Sequence, residues 1–349
     1  MTRVSTTRPP PAVPRQSARS SWRVPLLVVC VVALVSLCLI SIAVGARPIG
    51  LGEIWQGIVQ PGGSEIDAII RDYRIPRTLL GLLVGVGLGL AGALMQALTR
   101  NPLADPGLLG ITSGASFGIV FAIAVAGVTA VHGYIWFAFA GALLASTVVS
   151  LLGGLGNAGA TPVKLAIAGI AMTFLLGSFT SAMVLSDAQT LNRYRFWSAG
   201  SLAGQPLEII TQLLPFLVAG TLLALASGPA LNSLALGEDV AVSLGHRPRL
   251  VRLRGMLAIT LLTGAAVALA GPIVFVGLVV PHIARILVGP DQRWLLPTAM
   301  LIAPILLLAA DVLGRVVARP AEIQIGIIVV FLGVPFFIYL VRRHRLTEL

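Results

Sequence analysis

PGLLGITSGASFGIVFAIAVAGVTAVHGYIWFAFAGALLASTVVSLLGGLGNAGATPV, residues 106–163, contains no Asp, Glu, Lys or Arg across its 58 positions. A bilayer core is crossed by roughly 20 apolar residues in a helix. The stretch is long enough for two such helices, and GVTAVHGY at 127–134 supplies the joint between them. The whole chain shares this character. Its 349 residues are 57% hydrophobic and 11% charged, with a mean hydropathy of +0.96, values that a soluble domain of this size does not reach. The fold class is therefore an all-α polytopic membrane protein, because in lipid a helix satisfies its own backbone polar groups.

Outward from that stretch, charge-free windows of bilayer length recur in both directions. They predict ten helices, near 24–45, 78–99, 107–126, 134–155, 164–186, 208–228, 250–270, 273–289, 295–313 and 323–341. Residues 255–284 are a second long uncharged run, divided at Gly271-Pro272. Residues 1–23, rich in Pro, Ser, Thr and Arg, read as a disordered cytoplasmic tail, and 24–345 as a single transmembrane domain. A signal peptide ending at Val44-Gly45-Ala46 is the competing reading of the first window. Its apolar run of about 20 residues exceeds the 7–15 of a signal core and favours a retained helix.

Basic residues give the orientation. With the N-terminus inside, 16 of the 24 Lys and Arg fall on the cytoplasmic side and 8 outside, so both termini are expected in the cytoplasm. The same topology accounts for the net charge of +11, which otherwise invites a nucleic-acid reading. Membrane lipid, and no nucleic acid, is the expected surrounding.

Several chemistries are absent from the sequence. Cys30 and Cys38 lie inside the first window, and there is no HExxH, no Cys/His cluster and no Ser/His/Asp arrangement, so neither a metal nor a catalytic residue is expected. A phosphate-binding GxxxxGK[ST] loop needs Lys after Gly, and the single lysine, Lys164, follows Val163. If ATP powers this protein, another chain binds the ATP and Mg and hydrolyses it. Acidic residues such as Asp72, Asp105, Asp291, Asp311 and Glu322 fall at predicted helix ends or loops, leaving the interiors uncharged. An ion-coupled transporter usually keeps such groups at mid-membrane, which places that class second.

Two polar regions stand out. LNSLALGEDVAVSLGHRPRLVRLR, residues 231–254, is jointed: Leu231 and Leu234 form one apolar stripe, and Val240, Ala241 and Leu244 form another beyond Gly237. Glu238 and Asp239 suit a helix start, and Gly245 with Pro248 suits its end. Two such short helices are unstable alone and need a surface, either the protein's own floor or another protein. On the outer side, Arg74 and Arg77 stand three apart, with Arg315 and Arg319 on the same face. Guanidinium forks there suit carboxylates of a docking protein, and headgroup anchoring or a pair with Asp72 is the alternative. Arg100 to Pro106 reads as a tight cytoplasmic connection that packs the floor. A faint repeat also appears: Leu90-Ala91-Gly92 and Gly110 recur 179 residues later as Leu269-Ala270-Gly271 and Gly289, the spacing an inverted repeat would give.

RIPR at 74–77, GLAGALMQALTRNPLADPGLLGITSGA at 89–115, FWSAGSL at 196–202, LNSLALGEDVAVSLG at 231–245, GPIVFVGLVVPHIARILVG at 271–289, LLPTAM at 295–300, AADVLGR at 309–315 and EIQIGIIVVFLGVPFFIYL at 322–340 together resemble the FecCD permease family. These are membrane subunits of type II ABC importers for iron-siderophores, haem and cobalamin. The resemblance covers residues 45–341. It implies ten helices in a cobalamin-importer permease-like fold, a second permease subunit (identical or homologous), two ATP-binding subunits and an extracytoplasmic substrate-binding protein, in a bacterial inner membrane. It assigns docking of acidic residues of the binding protein to Arg74, Arg77 and Arg315. Coupling helices at 231–247, with Leu234, Leu236, Gly237, Glu238, Ala241, Leu244 and Gly245, are implied to sit in a groove of the ATPase. Thr161, Pro162 and Val163 align with the cytoplasmic gate, where family members often carry small hydroxyl residues at the last two positions. Gln324 stands where the family commonly has Pro. FWSAGSL is more similar to siderophore permeases than to cobalamin or haem permeases, so the implied cargo is a ferric siderophore.

Overall fold

The computed structural model describes residues 22–45, 49–59, 62, 64–128, 130–154 and 162–343, and these contain helices and no strand. In chain order the helices are α1 (Arg23–Ala43), α2 (Leu51–Val59), α3 (Glu65–Ala68), α4 (Ile75–Thr99), α5 (Ile111–Ala124), α6 (Val131–Gly154), α7 (Pro162–Ser186), α8 (Ala188–Ser198), α9 (Leu207–Ala226), α10 (Gly228–Ala235), α11 (Glu238–Ser243), α12 (Pro248–Ala270), α13 (Val276–Val288), α14 (Gln292–Val317) and α15 (Ile325–Arg343). A π-helical turn, Ile69–Arg74, joins α3 to α4, and a 3₁₀ turn, Pro106–Leu109, precedes α5. Seven helical runs have the length and composition to cross a membrane: α1, the continuous Glu65–Thr99 run, α6, α7, α9, α12 and α14. Three shorter apolar helices, within α5, α13 and α15, fill the other predicted windows.

The centre of the bundle is built on α4 and α12, whose most apolar windows are 78% and 72% buried. The corresponding figures for α1 and α7 are 11% and 17%, which puts them at the edge. Proximity on this scale requires small residues, since no hydrophobic force drives helices together in lipid. A Cβ placed on Gly89 would come within 2.5 Å of the Ala303 methyl carbon, and one on Gly85 would overlap Pro304, so α14 lies directly on the glycine face of α4. The opening stretch folds as anticipated into two adjacent helices, α5 and α6, which meet where Gly114 faces Gly141.

The structure departs from the sequence reading in three places. First, α2, α3 and α8 are short helices outside the predicted windows. α3 begins with a Ser64/Asp67 capping box and α8 with Asp187, whose carboxylate accepts from the Thr190 amide at 2.7 Å. These bonds, with a 2.6 Å bond from the Thr190 hydroxyl, hold the Asp187 carboxyl below the usual carboxylate range. Second, helix interiors are not uncharged. α14 continues to Val317, which places Asp311 within the helix at 2% exposure. Third, the repeated Leu-Ala-Gly does not mark equivalent positions, because Gly92 lies inside α4 whereas Gly271 closes α12 at a positive φ of 73°. The tail call at 1–23 falls outside the described residues except for its last two, Trp22 and Arg23.

Candidate functional site

The jointed stretch forms two helices, α10 and α11, on the end of the bundle that also carries Arg23 and the N-terminus of α14. Leu231 and Leu234 are buried at 2% and 3%, and Ala241 at 1%. These residues seat the stretch on the protein's own floor and offer no surface to a partner. The remaining apolar side chains face outward: Leu236 is 70% exposed, Leu244 59%, Val242 58% and Val240 40%. Both surfaces named by the sequence reading therefore exist, one satisfied within the chain and one bare.

Gly237 separates the two helices with φ 124° and ψ 157°, a conformation that L side chains avoid, while nothing lies within 4 Å of where a Cβ would stand. Its glycine serves conformation and not packing. α11 ends in a full Schellman motif: the Gly245 amide donates to Val242 and the His246 amide to Ala241, both at 2.9 Å, with Gly245 at φ 82°. Glu238 opens α11 and accepts an ion-pair bond from Arg252 of α12, so its charge is already partnered within the chain.

Arg74, Arg77 and Arg315 come together at the opposite end of the bundle, where they are largely buried. Arg77 grips Asp311 with two nitrogens, Nε and Nη2, at 2.9–3.1 Å, and its Nη1 donates to Glu322 at 2.6 Å. Arg315 also binds Asp311, at 2.9 Å, and reaches the end of α1, where Ser41 and Val44 carbonyls accept its Nη1 at 2.8 and 2.6 Å. Arg74 donates to the carbonyls of Ile42 and Ala43. The cluster thus closes α1, α4 and α14 onto one another. Among its members Glu322 is the accessible one, with a side chain 38% exposed against 2% for Asp311. The sequence reading treated the arginines as surface groups and missed Asp311 as their shared partner.

Two further residues escaped the sequence reading. Arg100, which terminates α4 in a left-handed conformation (φ 52°), donates from its guanidinium to the Leu234 carbonyl at the end of α10. Asn232 of α10 donates to Asp291 at 2.6 Å and accepts from the Gln292 amide at 2.9 Å, at the very start of α14. Both lie in motifs the sequence reading quoted, but their partners, 134 and 59 residues away, are not legible from those motifs.

Of the gate residues, Thr161 lies outside the described residues, Pro162 begins α7, and Val163 is 67% exposed. α7 also borders a cleft of about 310 Å³ lined by the hydroxyls of Ser113, Ser116, Thr173, Thr180, Ser181 and Tyr194. Among the described residues no group of three or more His, Cys, Asp or Glu is placed to hold a metal.

Comparison with known proteins agrees with this architecture. The profile of the FecCD transport family matches residues 32–343. The ferric enterobactin transport system permease protein FepD of Escherichia coli K12 is 46% identical over 87% of this chain and 91% of its own length. The hemin transport system permease protein HmuU of Yersinia pestis is 38% identical over 90% of this chain and 94% of its own. Among solved structures, a metal-chelate type ABC transporter in an inward-facing conformation superposes with a TM-score of 0.81 at 28% identity, covering 91% of this chain and 99% of that one.

Proposed function

This chain belongs to the FecCD transport family, and from that premise we propose that it carries a ferric siderophore across the inner membrane. Family members are permease subunits of ABC importers and are not themselves enzymes. The chain is a multi-pass membrane protein of that kind. The observation that carries the siderophore is the 46% identity to a ferric enterobactin permease, against 38% to a hemin permease and 38% to a cobalamin permease. FWSAGSL at 196–202 points the same way.

In this reading both termini and α10–α11 are cytoplasmic, and ten helices cross the bilayer. The bare face of Leu236, Val240, Val242 and Leu244 meets a separate ATPase that binds ATP and Mg, while this chain binds no cofactor. Leu234 and Ala241 hold that face in place, Gly237 and Gly245 set its shape, and Glu238 contributes at its edge. A second permease subunit covers α7, so that the hydroxyl-lined cleft borders the passage and the segment Thr161–Val163 closes it. At the outer end, the cluster of Arg74, Arg77 and Arg315 receives an acidic residue of a substrate-binding protein through Arg77, which Arg74 and Arg315 hold in place from within the chain. Docking there requires Arg77 to exchange the exposed Glu322 for an incoming carboxylate, a swap that conserves charge-assisted hydrogen bonds.

Uptake by a deletion strain tests the substrate. Radiolabelled catecholate, hydroxamate and citrate complexes of iron are supplied, with haem and cobalamin alongside. Loss of uptake of at least one ferric siderophore is expected. Unchanged uptake of all three iron complexes overturns the substrate class, and a loss confined to haem or cobalamin assigns that cargo instead.

A further inference from the structure

The two long helices α4 and α14 are joined at both ends. At the outer end the Arg77–Asp311 pair connects them directly. At the inner end they are bridged by α10. Arg100, at the end of α4, holds the Leu234 carbonyl, and Asn232 enters the N-terminal cap of α14. That cap is built around Asp291, whose Oδ1 accepts both the Arg293 amide at 3.0 Å and the Asn232 side-chain amide at 2.6 Å. Asn232 Oδ1 in turn accepts the Gln292 amide, one of the helix-start donors that has no partner within the helix. Along their length the helices touch through Gly85 and Gly89 on one side and Ala299, Ala303 and Pro304 on the other, with no room for a side chain between them. Two helices this tightly seated resist sliding independently.

From this geometry we infer that Asn232 and Arg100 are positioning residues that tie the cytoplasmic helix α10 to a rigid α4–α14 frame. Through that frame, movement at α10 and occupancy of the arginine cluster are linked. The frame is long enough for the task. Asp311 lies 19 residues beyond Gln292 in α14, roughly 30 Å at the helical rise, and Arg77 to Arg100 in α4 spans roughly 35 Å. The inference rests on the reading that an ATPase sits on α10–α11. By linkage, an ATPase that shifts α10 changes the affinity of the outer cluster for a docked protein, and docking changes the equilibrium at α10 by the same factor. Neither Asn232 nor Arg100 belongs to the bare apolar face, so altering them leaves the contact with the ATPase in place.

The test uses the complete importer in proteoliposomes, with its ATPase and binding protein, and radiolabelled ferric enterobactin as the probe. Two quantities are read: stimulation of ATP hydrolysis by the loaded binding protein, and iron imported per ATP hydrolysed. Asn232→Asp keeps an acceptor for the Gln292 amide but replaces the donor to Asp291 with a second carboxylate. It is expected to leave complex assembly and unstimulated hydrolysis near wild type while lowering both coupled quantities about fivefold or more, the lower range of typical site-to-site coupling. Arg100→Met is expected to resemble the Asn232 variant, and Arg100→Lys, which keeps a donor, to fall between. Wild-type coupling in Asn232→Asp overturns the inference. If Asn232→Asp does not assemble, the two Arg100 variants decide: uncoupling by Arg100→Met with partial recovery in Arg100→Lys upholds the inference, and any other result overturns it. Failure of the wild-type complex to import iron from ferric enterobactin and from the hydroxamate and citrate complexes alike would instead remove the siderophore reading.

Discussion

The arginine cluster and the α10–α11 stretch occupy opposite ends of the bundle, and they manage exposed chemistry in opposite ways. At the arginine end, three guanidinium groups are drawn inward and matched with Asp311, Glu322 and the last carbonyls of α1. At the α10–α11 end, four apolar side chains are left facing outward on helices too short to stand alone. A buried charge without a partner is severely unfavourable, so the chain supplies partners for its arginines. An exposed apolar face carries no comparable penalty in one small patch, and it is stabilised when another protein covers it. Polar interactions therefore satisfy the arginine end within one chain, and the α10–α11 end keeps an apolar face that this chain does not cover.

This contrast can be broken at each end. The largest effect is expected from Asp311→Ala, which strips the shared carboxylate from Arg77 and Arg315. Loss of one partner from a buried ionic group destabilises by about 3–5 kcal/mol, read as loss of monodisperse protein and a lowered Tm in detergent. An unchanged Tm would mean that the cluster is not a closed network. Next comes Leu236→Asp combined with Leu244→Asp. It should leave Tm intact and weaken binding to the ATPase by about 2 kcal/mol or more, some 30-fold, as expected for anchors at an interface centre. A drop in Tm with unaltered binding would reverse the assignment of that face. Gly237→Ala forces an L residue into a glycine-favoured conformation. It is expected to cost about 1–3 kcal/mol, seen as faster hydrogen exchange in α10 and α11 but not in α4. Exchange at the wild-type rate would show that the joint does not need its glycine. The smallest effect on stability belongs to Glu238→Arg, which removes an exposed ion pair with Arg252 worth about 0–1 kcal/mol. Its larger consequence is expected in ATPase association, and intact assembly and transport would remove Glu238 from the coupling surface.

The sequence made the helices legible because lipid leaves few alternatives. A window of 20 uncharged residues has one way to satisfy its backbone, and each of the ten windows holds a helix. The jointed stretch was equally readable, since Gly237, Glu238 and Gly245 act through local backbone chemistry. What could not be read depends on partners distant in the chain. Arg77 and Asp311 are separated by 234 residues, and Asn232 and Asp291 by 59. The predicted window ends two residues past Asp311 whereas α14 continues to Val317, and nothing near Asp311 in sequence shows that α4 brings a guanidinium to it. The same holds for α2, which is apolar but too short for a span, and for α8, whose apolar content is too low and whose Asp187 cap acts over only three residues.

The central claim is that the outward face of α10–α11 is the seat of an ATPase. Leu236→Cys, made in a chain with Cys30 and Cys38 replaced, measures this directly through its rate of labelling by a water-soluble maleimide. The account predicts rapid labelling of the chain alone and strong protection when the ATPase is added. Equal labelling rates with and without the ATPase would contradict it.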